Sequence, residues 1–72
     1  MTASFSLCLR GYDKSQVESV LQLADEALAS DDAARRTAMR EMLQNVRFEI
    51  VLRGYYREEV DQAVQDRLQR LA

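Results

Sequence analysis

Hydrophobic positions along the chain change period in a repeating way. Phe5, Leu7 and Leu9 are spaced by two, and so are Phe48, Ile50 and Leu52. A period of two predicts a short strand with one face half-buried; it puts Leu9 and Leu52 on the face of Phe5 and Phe48, which favours burial without deciding it. A glycine follows each run, Gly11 and Gly54. It predicts the end of the strand and a turn, since glycine alone takes positive φ freely. The period then becomes helical. Val17, Val20, Leu21, Ala24 and Leu28 make one stripe, and Val60, Ala63, Val64, Leu68 and Leu71 make another. Asp13 and Gln16 have capping-box spacing at the start of the first helix. The second has Tyr56 at the capping place, with Glu58 and Glu59 in the first turn, where they suit the positive helix end. Arg67 interrupts the second stripe, and its stem is expected to lie along the core with the guanidinium in water.

Between these segments, a connecting helix is expected over about 31–46. Ser30, Asp31 and Asp32 are its candidate N-caps. Ala34, Ala38, Met42 and Val46 recur every four residues, with Met39 and Leu43 beside them. The predicted order is strand, helix, helix, strand, helix: a mainly α fold with two short β-strands, in a single domain over 1–72. Two strands this short are not stable alone, so they pair with each other or with a second chain.

The two flanking segments are copies. Residues 5–29, FSLCLRGYDKSQVESVLQLADEALA, align without gaps to residues 48–72, FEIVLRGYYREEVDQAVQDRLQRLA, at an offset of 43. LRGY occurs in both, and both glycines of the chain fall at the same place in the repeat. The fold is therefore two strand–turn–helix units joined by a helix.

Composition narrows the function. With 72 residues, one cysteine and no evident metal site, the chain has little core to draw on, and association into at least a dimer is the usual remedy. The chain contains no histidine, no Gly-rich phosphate loop and no cluster of metal ligands, so no enzyme chemistry or cofactor is indicated. Cys8 reads as a small apolar strand residue. The net charge of −2, with acids and bases interleaved, gives no nucleic-acid field. Arg35, Arg36, Arg40 and Arg47 make a local basic excess, which keeps a small helical nucleic-acid binder as a minor alternative. The first residues carry neither a basic region nor an apolar core of a signal peptide, and no apolar run approaches the ~20 residues that span a bilayer. A cytoplasmic protein is expected.

LRGY has two readings. In the first it is a structural turn. The glycine sets the turn, Tyr12 and Tyr55 cover the core with wet hydroxyls, and Arg10 and Arg53 pair with helix acids such as Glu18 or Asp61. In the second it faces outward. Leu9 with Arg10, and Leu52 with Arg53, then dip into a lipid interface or meet a partner.

The pattern F-x-x-x-x-R-G-Y-D-x-x-x-V leading into an amphipathic helix resembles the N-terminal domain of DivIVA-type proteins of bacterial cell division and polar growth. Phe5, Arg10, Gly11, Tyr12, Asp13 and Val17 carry it in the first copy, and Phe48, Arg53, Gly54, Tyr55, Val60 and Asp61 in the second. It covers about two-thirds of the chain. The resemblance implies a non-catalytic scaffold that dimerises and binds curved membranes through the apolar-Arg pair, here Leu9-Arg10 and Leu52-Arg53. A leucine stands where the family has an aromatic residue, and the family's long coiled coil does not follow. The implied partners are the chain itself, division or envelope-growth proteins, and an anionic membrane surface reached from the cytoplasmic side. The alternative is a general protein-protein adaptor with no membrane role.

Overall fold

The computed structural model describes residues 5–71. Ala72, the last residue of the second copy, and Met1–Ser4 lie outside them. The order is β1 (Leu7–Tyr12), α1 (Lys14–Ala29), α2 (Ala33–Asn45), β2 (Ile50–Tyr55) and α3 (Arg57–Leu71), as the periodicity predicts.

The three helices pack against one another around a core of Val17, Leu21, Ala24 and Ala27 from α1, Met39 and Leu43 from α2, and Val60, Val64 and Leu71 from α3. Val20, Leu28, Ala63 and Leu68, the rest of the two predicted stripes, are partly buried against it. Val17 and Val60 hold the same place in the two copies, and both are fully buried.

The first two helices start where a side chain can meet free amides. Asp13 accepts from Gln16 N at 3.1 Å to cap α1. Of the three candidates for α2, Asp32 is the cap, accepting from Ala34 N at 3.0 Å and Arg35 N at 3.3 Å. Ser30 Oγ supports it by accepting from Asp32 N at 3.0 Å. The face of α2 differs from expectation. Met39 and Leu43 are buried, whereas Ala34, Ala38 and Met42 are exposed. A single seam of α2 meets α1 and α3, and the long side chains four residues apart bury far more apolar area there than the alanines would.

The strands pair within the chain. Leu7 opposes Tyr55, Cys8 opposes Gly54, Leu9 opposes Arg53, Gly11 opposes Val51 and Tyr12 opposes Ile50. Partner numbers fall as those of β1 rise, which is the antiparallel sense. Tyr12 also meets Tyr55, a local contact of the parallel kind. Tyr55 thus touches both ends of β1, and Tyr12 both ends of β2, so each segment is bent and the two cross. Two backbone bonds close the crossing: Asp13 N donates to Glu49 O at 2.9 Å, and Tyr56 N donates to Ser6 O at 2.8 Å.

Candidate functional site

At the crossing the two LRGY segments are brought together. The glycines do not play the part that the sequence suggests. Gly11 and Gly54 lie inside the strands and are buried, and neither has positive φ. Their role is close approach. A Cβ at Gly54 would lie 2.6 Å from the carbonyl carbon and 2.7 Å from the oxygen of Gly11, and a Cβ at Gly11 would strike the backbone of Gly54 and Tyr55. Any side chain would hold the crossing chains apart. The positive φ falls instead on Arg10, at 60°, where it turns the first segment. For a non-glycine residue this conformation is uncommon and carries strain.

The tyrosines after the glycines join the copies. Tyr12 donates its hydroxyl to Asp61 at 3.1 Å, and Tyr55 donates to Glu18 at 2.8 Å. Their rings lie against the aromatic residue that opens the other copy: Phe5 to Tyr55 at 5.2 Å between centroids, and Tyr12 to Phe48 at 5.1 Å. Both phenols are pushed above their ordinary value. For Tyr12 the main cause is burial, followed by the bond to Asp61 and its charge, with Arg57 opposing. For Tyr55 it is the bond to Glu18, followed by burial. Glu18 and Asp61, expected as partners of the arginines, therefore serve the tyrosines. The reason is reach: Tyr12 and Tyr55 leave the crossing toward the helices, whereas Arg10 and Arg53 leave it toward solvent.

Of the two readings of LRGY, the placement of Leu9 and Leu52 agrees with the outward one, although their alternation with Phe5 and Phe48 favours burial. The two leucines are 72% and 77% exposed, and Leu7 and Ile50 are exposed beside them. The bend of each segment carries its middle away from the helices, so only the ends, with Phe5, Phe48 and the two tyrosines, fold back onto the core. Arg10 and Arg53 are exposed too and form no ion pair with a described residue. The crossing thus presents four apolar side chains and two free guanidiniums on a chain whose net charge is −2. Cys8 sits partly buried in β1 as a free thiol.

Two positions at the site escape a reading of the sequence. Gln16 Oε1 accepts from Glu49 N at 2.8 Å, and Glu59 accepts from Ser6 N at 2.7 Å and from Ser6 Oγ at 3.1 Å. Gln16 was expected to complete the cap of its own helix, but the crossing strand offers its side chain an amide first. The signal was present: residues 16 and 59 share a repeat position and both carry an acceptor.

Elsewhere, Arg35 pairs with Glu26 at 3.3 Å, and Arg36 donates to Arg70 O at 3.3 Å near the end of α3. Half of the local basic excess is therefore occupied within the fold. A groove of about 570 Å³ between α2 and α3 is lined by Leu43, Val46, Phe48, Asp61 and Val64 among others. Among the described residues no group of three or more His, Cys, Asp or Glu is placed to hold a metal ion, and no helix is long and apolar enough to cross a membrane. Compared with known proteins, the chain matches no family model, no curated protein and no solved structure.

Proposed function

We propose that this chain is a non-enzymatic, homo-oligomeric interaction module that works like the DivIVA cell-division domain it resembles. It attaches through the crossed LRGY segments to an anionic membrane surface on the cytoplasmic side. The observation that carries the reading is the exposure of Leu9 and Leu52, each next to an arginine that forms no ion pair among the described residues. An exposed leucine gains by leaving water for the acyl boundary, and the adjacent cation gains from anionic headgroups.

Magnitudes make the contact weak and reversible. A basic residue near an anionic leaflet contributes about 1 kcal/mol. Full burial of a leucine contributes at most about 3 kcal/mol, and shallow insertion less. One Leu-Arg pair therefore holds a membrane poorly, and several pairs on one assembly hold it far better. That arithmetic favours an oligomer over a solitary binder, and the resemblance alone suggests the division or envelope-growth apparatus as its setting.

A second reading, a protein-protein adaptor with no membrane role, draws on the groove between α2 and α3. Co-sedimentation with anionic and with neutral vesicles separates the two. The expected result is binding to anionic vesicles alone, lost in the double variant Arg10→Ala, Arg53→Ala and in Leu9→Ser, Leu52→Ser. A folded wild type that pellets with neither kind of vesicle would rule out the membrane reading and leave the adaptor.

A further inference from the structure

The contacts at the crossing occur twice, with the copies exchanged. Ser6 O meets Tyr56 N as Glu49 O meets Asp13 N. Tyr55 meets Glu18 as Tyr12 meets Asp61, and Phe5 meets Tyr55 as Phe48 meets Tyr12. Nothing in these contacts requires that both copies belong to one chain. The first copy of one molecule offers the second copy of another the same surface that it offers its own.

What keeps the pairing within a chain is the bend between α1 and α2. Ser30 is extended there, at φ −88° and ψ 145°, and Asp32 caps the next helix. Ser30, Asp31 and Asp32 include neither glycine nor proline. If Ser30 turned helical, α1 and α2 would run together from Lys14 to Asn45, a helix about 48 Å long at 1.5 Å per residue. The whole molecule measures 38 Å along its longest axis. The link from Val46 to Glu49 spans at most about 14 Å fully extended. In that form Glu49 cannot reach Asp13, so β2 cannot cross its own β1 as it does here, and a second chain in the same form restores the crossing.

We infer that the chain forms a reciprocal dimer by exchange of halves, with the first copy of each molecule paired to the second copy of the other. The inference rests on the homo-oligomeric part of the function proposed above and deepens it by naming the interface and the partner, a second copy of this chain. The exchanged dimer carries two crossings, hence four Leu-Arg pairs. Because the bent strands cross, exchange is decided during folding rather than by encounter of folded monomers. The pairing within a chain competes as a local concentration, of order millimolar for short linkers, so the dimer gains as the protein is concentrated.

Full-length single-cysteine chains test this. In a Cys8→Ser background, Leu9→Cys and Arg53→Cys place thiols at directly opposed, exposed positions. One variant is made isotopically heavy, and the two are refolded together from urea at about 10 μM and about 1 mM, below and near the local concentration expected for a short linker. They are then oxidised and weighed. The expected result is a mixed 9–53 disulfide several-fold above that of a control pair, Ser19→Cys with Arg53→Cys, and rising with concentration. In a second arm, Ser30→Ala, Asp31→Ala, Asp32→Ala removes the cap and favours a continuous helix, so its dimer fraction by light scattering at the lower concentration exceeds that of the wild type. Native helicity with cross-linking no greater than in the control at the higher concentration overturns the exchange. Vesicle binding by Arg10→Ala, Arg53→Ala is read separately. Its loss with exchange intact supports both proposals, and its retention refutes the membrane contact alone.

Discussion

Tyr55 and Glu18 meet across the two copies, the hydroxyl donating to the carboxylate at 2.8 Å, and Tyr12 and Asp61 repeat the bond at 3.1 Å. Each tyrosine follows the glycine of one copy and reaches the helix of the other. The bonds therefore tie each bent segment to the opposite half, and with the ring contacts to Phe5 and Phe48 they fix how the crossing sits on the core.

Tyr12→Phe and Tyr55→Phe are each expected to lower stability by about 0.5–1.5 kcal/mol, the net contribution of one such bond. The pH dependence has a definite sign. The protonated phenol is the donor, and the folded state raises both phenols above their ordinary value of 10.0. Their contribution is fully present below pH 10 and is lost as pH rises through the folded values. Urea denaturation between pH 8 and 11, within reach of the ordinary tyrosine range of about 10, checks this. The wild type should lose stability at the alkaline end, and the double Phe variant should lose less. Parallel curves for the two proteins would contradict the role given to these hydroxyls.

Gly11→Ala and Gly54→Ala test the close approach. Each added methyl meets backbone atoms of the other segment, which cannot rotate away as a side chain could. Overpacking costs about 1–3 kcal/mol where side chains can yield, and backbone contact places these variants at or beyond the upper end. Neither glycine has positive φ, so the loss would come from contact rather than from an unfavourable dihedral. Ala should suffice to unfold the chain or separate the crossing, seen as a loss of thermal cooperativity. A stable Gly54→Ala protein with native helicity would refute the crossing as described.

Much of this was legible in the sequence, and the failures share one cause. The element order, the cap at Asp13, the cap segment before α2 and both helix stripes follow from periodicity and local chemistry, which the fold respects. The period of two at Phe5, Leu7 and Leu9 was misleading, since it assumes a straight strand lying on a core. Here the strand bends at Arg10, and only its ends touch the helices. A bend imposed by a crossing segment 43 residues away leaves no local signature. The glycines were conspicuous for the wrong reason, because a demand for close approach and a demand for positive φ select the same residue. The tyrosine-carboxylate pairs are half visible: Glu18 and Asp61 stand out as partners for the turns, but the sequence offers them to the arginines.

Exposure and burial at repeat-equivalent places give a direct contrast. Val17 and Val60 are fully buried, and truncating either to alanine removes apolar volume that the surrounding helices cannot wholly refill. A loss of about 2 kcal/mol is expected from each. Leu9→Ala and Leu52→Ala remove larger side chains but touch no core, so each should stay within about 0.5 kcal/mol of the wild type. Chemical denaturation of the four variants side by side checks the ranking. Substantial destabilisation by Leu9→Ala would mean that the crossing buries this residue, and the outward surface would have to be abandoned.

Arg67 stands where the first copy has Ala24, and it breaks the symmetry of the core. Its side chain is 15% exposed and its guanidinium meets Asp25 at 3.0 Å and Ala63 O at 3.2 Å, so it is held by α1 and by its own helix rather than released into water as the sequence suggests. The carboxylate it meets is 58% exposed, so solvent screens the pair and the charge contributes little, about 0–1 kcal/mol. The stem matters more, since its methylenes fill space between α1 and α3. Arg67→Ala is therefore expected to cost about 1–3 kcal/mol, mostly through lost packing. Arg67→Met, which keeps the stem, should recover most of that loss, and Asp25→Ala should change little. Urea denaturation at low and at high salt separates the contributions: salt should leave the deficit of Arg67→Ala nearly unchanged. An Asp25→Ala protein as unstable as Arg67→Ala, and equally salt-sensitive, would assign the position to charge instead of packing.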